Sequence, residues 1–340
     1  MIKFIEGKRP DFAKIQKLLD LCQTQNKWAN KGPLYEMLTA KYTEYFNLSS
    51  ANAITPCANG GIALEVVARV ISAQKNKPIR WVGSTFSFQN LGRGYFSEIE
   101  FIDCDEQGLL NLEILEKLPN KSFDGIVLVN PFGMFNDFSK YINFAVKNDK
   151  ALIIDNAAGI NCKVPEWPWQ SFSLHHTKPF GFGEGGLALT PSSVSDYFYE
   201  LINYGEQPRN AIEWLNNGKI SDVSCAFLID RLEQVNSWLP FYNEQEQRIR
   251  YLMESTSLEP LNTFNNDIPA MSTPFRAKKS LPLRDLKKSK KIVYGKYYKP
   301  LADLPVAKKI YDQLVNIPTH PDMIRLSDDE ILEEINTLNL

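Results

Sequence analysis

The sequence is poor in cysteine and histidine, and this shortage excludes several kinds of site. It contains five cysteines and three histidines in 340 residues. No two cysteines form a CxxC pair, so neither a disulfide framework nor a zinc site is predicted, and the histidines show no metal-ligand spacing. We therefore expect no metal, and reduced thiols in the cytoplasm. The cysteines are Cys22, Cys57, Cys104, Cys162 and Cys225.

Long apolar runs and a strong net charge are also missing. Apolar segments such as 125–129 and 151–154 have the length of core strands, not of a bilayer-spanning helix. The first ten residues lack the apolar stretch of a signal peptide. The formal net charge of -2 gives no overall attraction to nucleic acid or to an anionic membrane. The basic run 276–291 is either a solvated helix or loop, or a surface that attracts a pyrophosphate.

What the sequence does contain is an alternation of short strands and helices. This order predicts the α/β class, with a mostly parallel sheet covered on both faces. In such sheets the active site lies beyond the carboxyl ends of the strands. Past Pro240 helical patterns dominate, so we divide the chain into a large domain, 1–240, and a smaller carboxyl-terminal α+β domain, 241–340. Strands are expected at 79–82, 99–102, 125–129, 151–154, 171–175 and 186–190, and helices at 60–71 and 141–146.

The most informative segment is 171–186, SFSLHHTKPFGFGEGG, in which Lys178 lies between a predicted strand and a glycine-rich turn. A lysine that forms a Schiff base must be held firmly and kept partly unprotonated. The glycines let the backbone turn sharply and approach a bulky cofactor. Ser173, five residues before the lysine, could offer a hydroxyl to a phosphate. By itself the pattern is more typical of a solvated turn, because lysines beside glycines are common.

The same segment resembles the lysine loop of the DegT/StrS family of sugar aminotransferases, which depend on pyridoxal 5'-phosphate (PLP). That loop reads approximately S-F-H-x-x-K, then four variable residues, then G-E-G-G. Ser173, His175, Lys178 and residues 183–186 match it, while Leu174 replaces a Phe. The resemblance implies the three-layer type I fold of PLP transferases and a homodimer with shared active sites. It also implies that Lys178 binds PLP and moves the proton in transamination.

Two other segments resemble the family's cofactor-binding motifs. Asn59-Gly60-Gly61 opens a predicted helix where the family has S-G-T, and a helix N-terminus is an anion site that suits the cofactor phosphate. After the strand at 79–82 comes Phe86, which the resemblance places against the pyridine ring. The alternative in both cases is an ordinary structural role, as a glycine-rich helix start and a core aromatic.

Asp155 follows the apolar run 151–154 and is expected at the functional edge of the sheet. A carboxylate there can hydrogen-bond the pyridinium N–H and strengthen the cofactor as an electron sink. The family reads E-D-A-A-Q at this place, and two alignments compete, one matching Asp155 and the other Asn156 to its Asp. We prefer Asp155 because an amide carries no negative charge, although the family's Gln then falls on Ala158.

Segment 215–222 resembles the family's G-Y-N-x-R-M-S-E, whose Asn reaches across the dimer to the cofactor phosphate. Asn217 matches that Asn and Lys219 replaces the Arg, and a plain surface loop is the alternative. Further matches at 28–33, 203–205, 304–307 and 317–321 extend the resemblance over most of the chain.

The resemblance implies transamination of a nucleotide-linked keto sugar, with L-glutamate as the amino donor. The product would enter a surface polysaccharide such as O-antigen, or a glycosylated metabolite. A PLP-dependent sugar dehydratase is one alternative, but relatives of that kind carry His in place of the lysine. A non-catalytic binding protein of the same fold is the other, supported by the lost Gln and phosphate-site hydroxyls.

Overall fold

The computed structural model describes residues 1–164, 166–204, 216–262 and 268–338. At its centre is a single large sheet of seven strands. These strands are β1 (Asn52–Cys57), β2 (Trp81–Ser84), β3 (Glu100–Ile102), β4 (Gly125–Val129), β5 (Ala151–Asp155), β6 (Gln170–Ser173) and β7 (Gly186–Pro191). Their order across the sheet is β1-β7-β6-β5-β4-β2-β3.

Six of the seven strands run in one direction, and β7 runs against them. The predicted mostly parallel sheet is therefore confirmed. The sequence pattern misses β1, which contains Pro56, a residue that cannot donate to a sheet ladder. The strand tolerates this proline because it lies at the edge of the sheet, paired only with β7.

Helices cover both faces of the sheet, as its burial pattern requires. All five residues of β4 are buried, and they alternate between two apolar cores. Val127 and Val129 pack with α3, whereas Ile126 and Leu128 pack with α4 and α5. The α/β class and three-layer architecture are confirmed. The helices are α1 (Phe12–Gln25), α2 (Pro33–Tyr45), α3 (Gly60–Gln74), α4 (Leu112–Lys117), α5 (Ser139–Lys147), α6 (Ser195–Ile202), α7 (Asp222–Glu233), α8 (Val235–Met253), α9 (Leu283–Leu286), α10 (Pro305–Gln313) and α11 (Asp328–Asn336).

The carboxyl-terminal part of the chain builds a second core around a small antiparallel sheet. Its strands are β8 (Glu259–Pro260), β9 (Ser272–Arg276) and β10 (Leu314–Pro318), in the order β10-β9-β8. The end of α8, α11 and Ile2 from the start of the chain complete this core. Pro240 lies inside α8. We keep the division into 1–240 and 241–340 as a proposal, which the second core supports.

Two further features of the described residues bear on function. None of their helices combines the length and the apolarity that crossing a bilayer requires. Within the same ranges, no three His, Cys, Asp or Glu side chains come together as a metal site would need.

The carboxyl ends of the parallel strands meet at one edge of the large sheet. Val129 pairs with Asp155, Asp155 with Ser171, and Ser173 with Gly186. Because Gly186 also pairs with the last residue of β1, the amino-terminal end of α3 reaches the same edge. The fold thus gathers the strand ends, the start of α3 and the lysine loop in one place.

Candidate active site

A cavity of about 570 Å³ opens at this edge of the sheet. Six of the eight predicted site residues line it, and they come from α3, β5, β6 and the lysine loop. These six are Asn59, Gly60, Gly61, Asp155, Ser173 and Lys178. The other two, Phe86 and Asn217, lie outside the lining.

The lysine loop between β6 and β7 is a compact turn closed by its own backbone. The N–H of Lys178 donates to the carbonyl of His175 at 2.8 Å, and that of Gly181 donates to the carbonyl of Lys178 at 3.0 Å. Position 181 requires glycine, because a Cβ there would lie 1.9 Å from the carbonyl oxygen of His175. The loop therefore holds the backbone of the lysine in one place.

Lys178 points into the cavity beside Asp155. Burial lowers the pKa of the Lys178 amine, and the carboxylate of Asp155 opposes that shift. The residue as a whole is half-buried and lines the open cavity. A lysine in this setting loses its proton more readily than one in water, as a nucleophilic amine requires.

Asp155 is 4% exposed and has few partners for its charge. One oxygen, Oδ1, accepts from the N–H of Ala157 and from the hydroxyl of Ser171, each at 3.2 Å. Burial raises the pKa of Asp155 to about 6, while these two donors and Lys178 hold it down. The buried carboxylate of Asp155 would therefore accept a strong hydrogen bond from a cationic N–H group of a ligand in the cavity.

The neighbouring Asn156 faces away from the cavity. Its side-chain oxygen accepts from Asn130 at 2.7 Å, and its amide nitrogen donates to Gln170 at 2.9 Å. Both amide groups are thereby satisfied inside the protein. Successive residues of a strand point to opposite sides, so only one of the two competing positions can reach the cavity. This geometry supports Asp155 over Asn156.

The start of α3 forms an anion cradle at the cavity wall. Asn59 caps the helix by accepting from the N–H of Ile62 at 2.9 Å. The N–H groups of Gly60 and Gly61, in the first turn, have no acceptor within the helix. A Cβ on Gly60 would lie 2.9 Å from the Cβ of Ser173, so glycine permits the close approach of cradle and strand. The Ser173 hydroxyl oxygen accepts from the N–H of His175 at 3.3 Å, which leaves its proton for a ligand.

The structure places Phe86 behind the cavity wall. Phe86 is fully buried, and its ring lies edge-on to those of Phe132 and Tyr298, with centroids 6.1 and 5.6 Å away. Phe132 and Tyr298 line the cavity themselves. Stacking of Phe86 on a ligand ring stays a prediction.

Asn217 is exposed and lies beside the cradle without entering the cavity. The next residue, Gly218, accepts from the N–H of Ala58 at 2.7 Å, one residue before Asn59. Lys219 donates to the side chain of Asn203 at 2.6 Å. Leu215 and Gly205, which belong to the two motifs near this point, lie outside the described residues.

Sequence reasoning missed the aromatic wall opposite the lysine. Phe4, Phe88, Tyr297 and Tyr298 line the cavity, and the rings of Phe4 and Tyr297 lie 5.6 Å apart. Burial raises the pKa of Tyr298 well above its usual range. Phe4 comes from the amino terminus, Phe88 from the segment after β2, and Tyr297 and Tyr298 from the carboxyl-terminal third, and no local pattern marks them.

His175 and Glu184 flank the lysine at the cavity. The Nδ1 atom of His175 lies 3.2 Å from the backbone nitrogen and 2.9 Å from the hydroxyl oxygen of Thr177. The Nε2 atom of His175 lies 3.4 Å from Glu184 Oε1. His320, in contrast, is fully buried and does not line the cavity. Its Nε2 atom lies 3.0 Å from the carbonyl oxygen of Lys3.

The residues at the cavity fit PLP. The cofactor carries an anionic phosphate, an aldehyde and a pyridine nitrogen. The cavity offers a helix amino terminus, a buried lysine and a buried carboxylate, one for each of these groups.

Comparisons with known proteins agree with this chemistry. Over 251 residues the chain is 26% identical to Protein Mb3436c of Mycobacterium bovis, covering 68% of this chain and 60% of that protein. The chain thus spans about 60% of the length of the curated relatives it matches. The fold is similar to that of Helicobacter pylori PseC, an aminotransferase involved in the biosynthesis of pseudoaminic acid. The TM-score is 0.82 at 15% identity, and the match covers 99% of this chain and 98% of PseC. DesI, solved in the presence of its TDP-sugar product, gives a TM-score of 0.80 at 15% identity, with 97% and 90% covered.

The family model gives the strongest finding, because it matches residues 12–336. That span contains the lysine loop, the cradle and Asp155. The type I fold of PLP transferases is confirmed by the structural neighbours, and PLP is the cofactor. The chain belongs to the DegT/DnrJ/EryC1/StrS aminotransferase family.

Proposed function

We propose that this chain is a PLP-dependent aminotransferase that transfers an amino group to a nucleotide-linked keto sugar, with L-glutamate as the amino donor. The observation that carries the proposal is the buried amine of Lys178 beside the buried carboxylate of Asp155, in one cavity with an anion cradle. The family match supports the reaction class. The TDP-sugar product of DesI supports a nucleotide-linked substrate.

Four groups would hold the cofactor. The N–H groups of Gly60 and Gly61 and the hydroxyl of Ser173 would bind its phosphate, at the positive end of the α3 dipole. Asp155 would accept the pyridinium N–H, which would satisfy its buried charge. When bound, PLP supplies an electron sink that stabilises negative charge at a neighbouring carbon.

Lys178 would both attach the cofactor and move the proton. Once the amino donor has displaced it from the cofactor, its Nζ atom, with a pKa lowered by burial, would accept the proton from the α-carbon of the donor and deliver it to the cofactor. With the acceptor sugar the same amine would move a proton in the reverse direction, from the cofactor to the sugar carbon that gains nitrogen. The hydrogen bonds of the lysine loop fix the backbone from which that side chain extends. The aromatic wall around Tyr297 and Tyr298 would exclude water and cover an apolar face of the sugar.

A homodimer with shared sites belongs to the same proposal. Asn217 is exposed beside the cradle and outside its own cavity, a position that suits a residue reaching the cofactor phosphate of the partner subunit.

We place the enzyme in the cytoplasm, in the synthesis of a surface polysaccharide or glycosylated metabolite. The basic run 276–291 holds part of its charge in ion pairs, such as Arg276 with Glu106 at 3.0 Å and Lys291 with Glu330 at 3.1 Å.

The first test is the visible absorbance spectrum of the purified protein with PLP, before and after L-glutamate. We expect a band from the lysine-bound cofactor, absent in Lys178→Ala, which fades when glutamate is added. Keto-sugar nucleotides are then screened by mass spectrometry. A product that gains nitrogen supports transamination, and a product that loses water without gaining nitrogen indicates the dehydratase. Absence of the band with excess PLP would refute the proposal, and a band that ignores glutamate would refute the donor.

A further inference from the structure

The amino-terminal strap, residues 4–8, crosses behind the lysine loop and contacts it directly. Phe4 lines the cavity, and Glu6 is buried. The strap lies about 170 residues from the loop in sequence, so its contacts are long-range.

Lys8 binds three carbonyls of the lysine loop at once. Its Nζ donates to the carbonyl oxygen of His176 at 2.8 Å and to that of Gly181 at 2.5 Å. It also donates to the carbonyl of Lys178 itself. Burial and the nearby Arg231 lower the pKa of Lys8 to about 7, against the effect of Glu6. In its protonated form the amine has three N–H donors and no acceptor, so these three carbonyls use its full donor capacity.

A fourth carbonyl of the loop is held from the same side. Arg231 Nε donates to the carbonyl of Pro179 at 2.8 Å, and Arg231 is paired with Glu6 of the strap at 2.8 Å. The hydroxyl of Tyr242 donates to the same carboxylate oxygen at 2.8 Å. Glu6, Arg231 and Tyr242 are buried and Lys8 is half-buried, which makes the hydrogen bonds among the buried three costly to lose.

The loop needs such external donors. Residues 176–181 belong to neither β6 nor β7, so the sheet does not satisfy their carbonyls. Within the described residues, the Lys178 carbonyl also accepts from the N–H of Gly181 at 3.0 Å, whereas those of His176 and Gly181 accept from no backbone N–H. Carbonyls turned into the protein interior without a partner would favour another loop conformation. Another loop conformation would change the backbone dihedral angles at Lys178 and so redirect its side chain and the amine at its end.

We propose that Lys8 is a positioning residue for Lys178: by binding the carbonyls of His176, Lys178 and Gly181 it fixes the loop backbone so that the lysine amine reaches the cofactor. This inference rests on the proposed function, in which Lys178 carries PLP. Lys8 does not line the cavity, so it acts through the loop.

The test compares Lys8→Met with a matched control, Lys150→Met. Lys150 also donates its ammonium to backbone carbonyls, those of Phe123 (2.8 Å) and Asn120, but it precedes β5 at the opposite edge of the sheet. Both variants are made in the full chain. The first readout is hydrogen–deuterium exchange of the cofactor-free proteins. The second is the fraction of bound PLP that borohydride traps on Lys178, together with the visible band.

In Lys8→Met we expect the amides of Lys178 and Gly181 to exchange about tenfold faster or more, because charged hydrogen bonds to the loop are lost. The band and the trapped fraction should fall with them. Lys150→Met should match the wild type in both readouts. Lys8→Arg, which keeps the charge and several donors, should restore part of the protection and of the band.

Unchanged exchange of those amides in Lys8→Met, with an unchanged trapped fraction, would overturn the inference while leaving the proposed function intact. A wild-type protein without any band would instead refute the proposed function, and the exchange comparison would still decide whether Lys8 holds the loop. If Lys8→Met yields no folded protein by circular dichroism, Lys8→Gln, which keeps two N–H donors without the charge, is compared in the same way.

Discussion

Removing the charge of Asp155 should stabilise the cofactor-free protein, although it removes a group proposed to bind the cofactor. The carboxyl is buried and accepts only two weak hydrogen bonds, both on Oδ1. Burial raises the pKa of Asp155 from 3.8 to about 6. That difference corresponds to roughly 3 kcal/mol against the ionised form in the folded state.

The sign follows from proton binding. Between about pH 4 and pH 6 the folded protein keeps a proton on Asp155 that the unfolded chain has released, so the free energy of unfolding falls as the pH rises. An asparagine has no such proton to lose. Because Lys178 holds the pKa of Asp155 down, the comparison is cleanest in a Lys178→Ala background, where the penalty for the charged form is larger.

In that background we expect Asp155→Asn to raise the free energy of unfolding by at least about 3 kcal/mol at pH 7.5 and by little at pH 4. Urea unfolding followed by tryptophan fluorescence at a series of pH values measures this difference. Asp103→Asn is the matched control. Asp103 accepts from the N–H groups of Val306 and Ala307, at 2.8 and 2.9 Å, in the first turn of α10. Its replacement should destabilise the protein by about 1 kcal/mol.

A gain that does not depend on pH would refute this reasoning, because it would show that shape and not charge distinguishes the two side chains. Destabilisation at pH 7.5 would also refute it. That result would mean that the carboxylate is satisfied in the cofactor-free protein, and the case for an unmet pyridinium partner at Asp155 would weaken.

Two further predictions concern the lysine loop and the partner subunit. Gly181→Ala should abolish the PLP band and lower the melting temperature, because its Cβ would clash with the carbonyl of His175. Gly183 has φ +65° and open space around it, so Gly183→Ala should lower the free energy of unfolding by only about 1 kcal/mol and keep the band. Both outcomes are read by absorbance and thermal melting, and equal behaviour of the two variants would contradict the loop geometry. For Asn217, co-expression of Asn217→Ala with Lys178→Ala chains should restore about a quarter of wild-type activity, since half of the dimers would hold one intact site. No recovery from two inactive variants would contradict a shared site.

The parts of the site that the sequence could predict are those carried by single local patterns. The lysine loop, the glycine-rich start of α3 and the acid at the end of β5 are each a few consecutive residues at a strand or helix end. Their approach to one another follows from the parallel sheet, because parallel strands end at one edge. The choice between Asp155 and Asn156 needed the structure. It depends on which residue faces the cavity, and the apolar run before them shows no alternation.

Other parts could not be predicted because they depend on contacts between distant segments. Lys8 reads as one of many lysines in an exposed, charged amino terminus, and only the fold brings it to the lysine loop. Tyr298 follows a basic stretch and gives no local sign that it faces the cavity. Strand β2 begins at Trp81, two residues later than predicted, and Phe86 lies deeper than a residue exposed at a strand end would.

The amino-terminal strap joins the structures that the site depends on. Ile2 packs in the second core and bridges to Ile292, Phe4 faces the cavity, and Lys8 holds the carbonyls of the lysine loop. A shift of the second core relative to the large sheet would therefore act on the cavity wall and on the lysine backbone together. Closely packed elements move as units. One movement of the second core would therefore shift the aromatic wall of the cavity and the Lys178 amine together. The loop glycines make the turn possible, but they also leave it deformable, and the strap supplies rigidity through the contacts of Lys8 and of the buried Glu6.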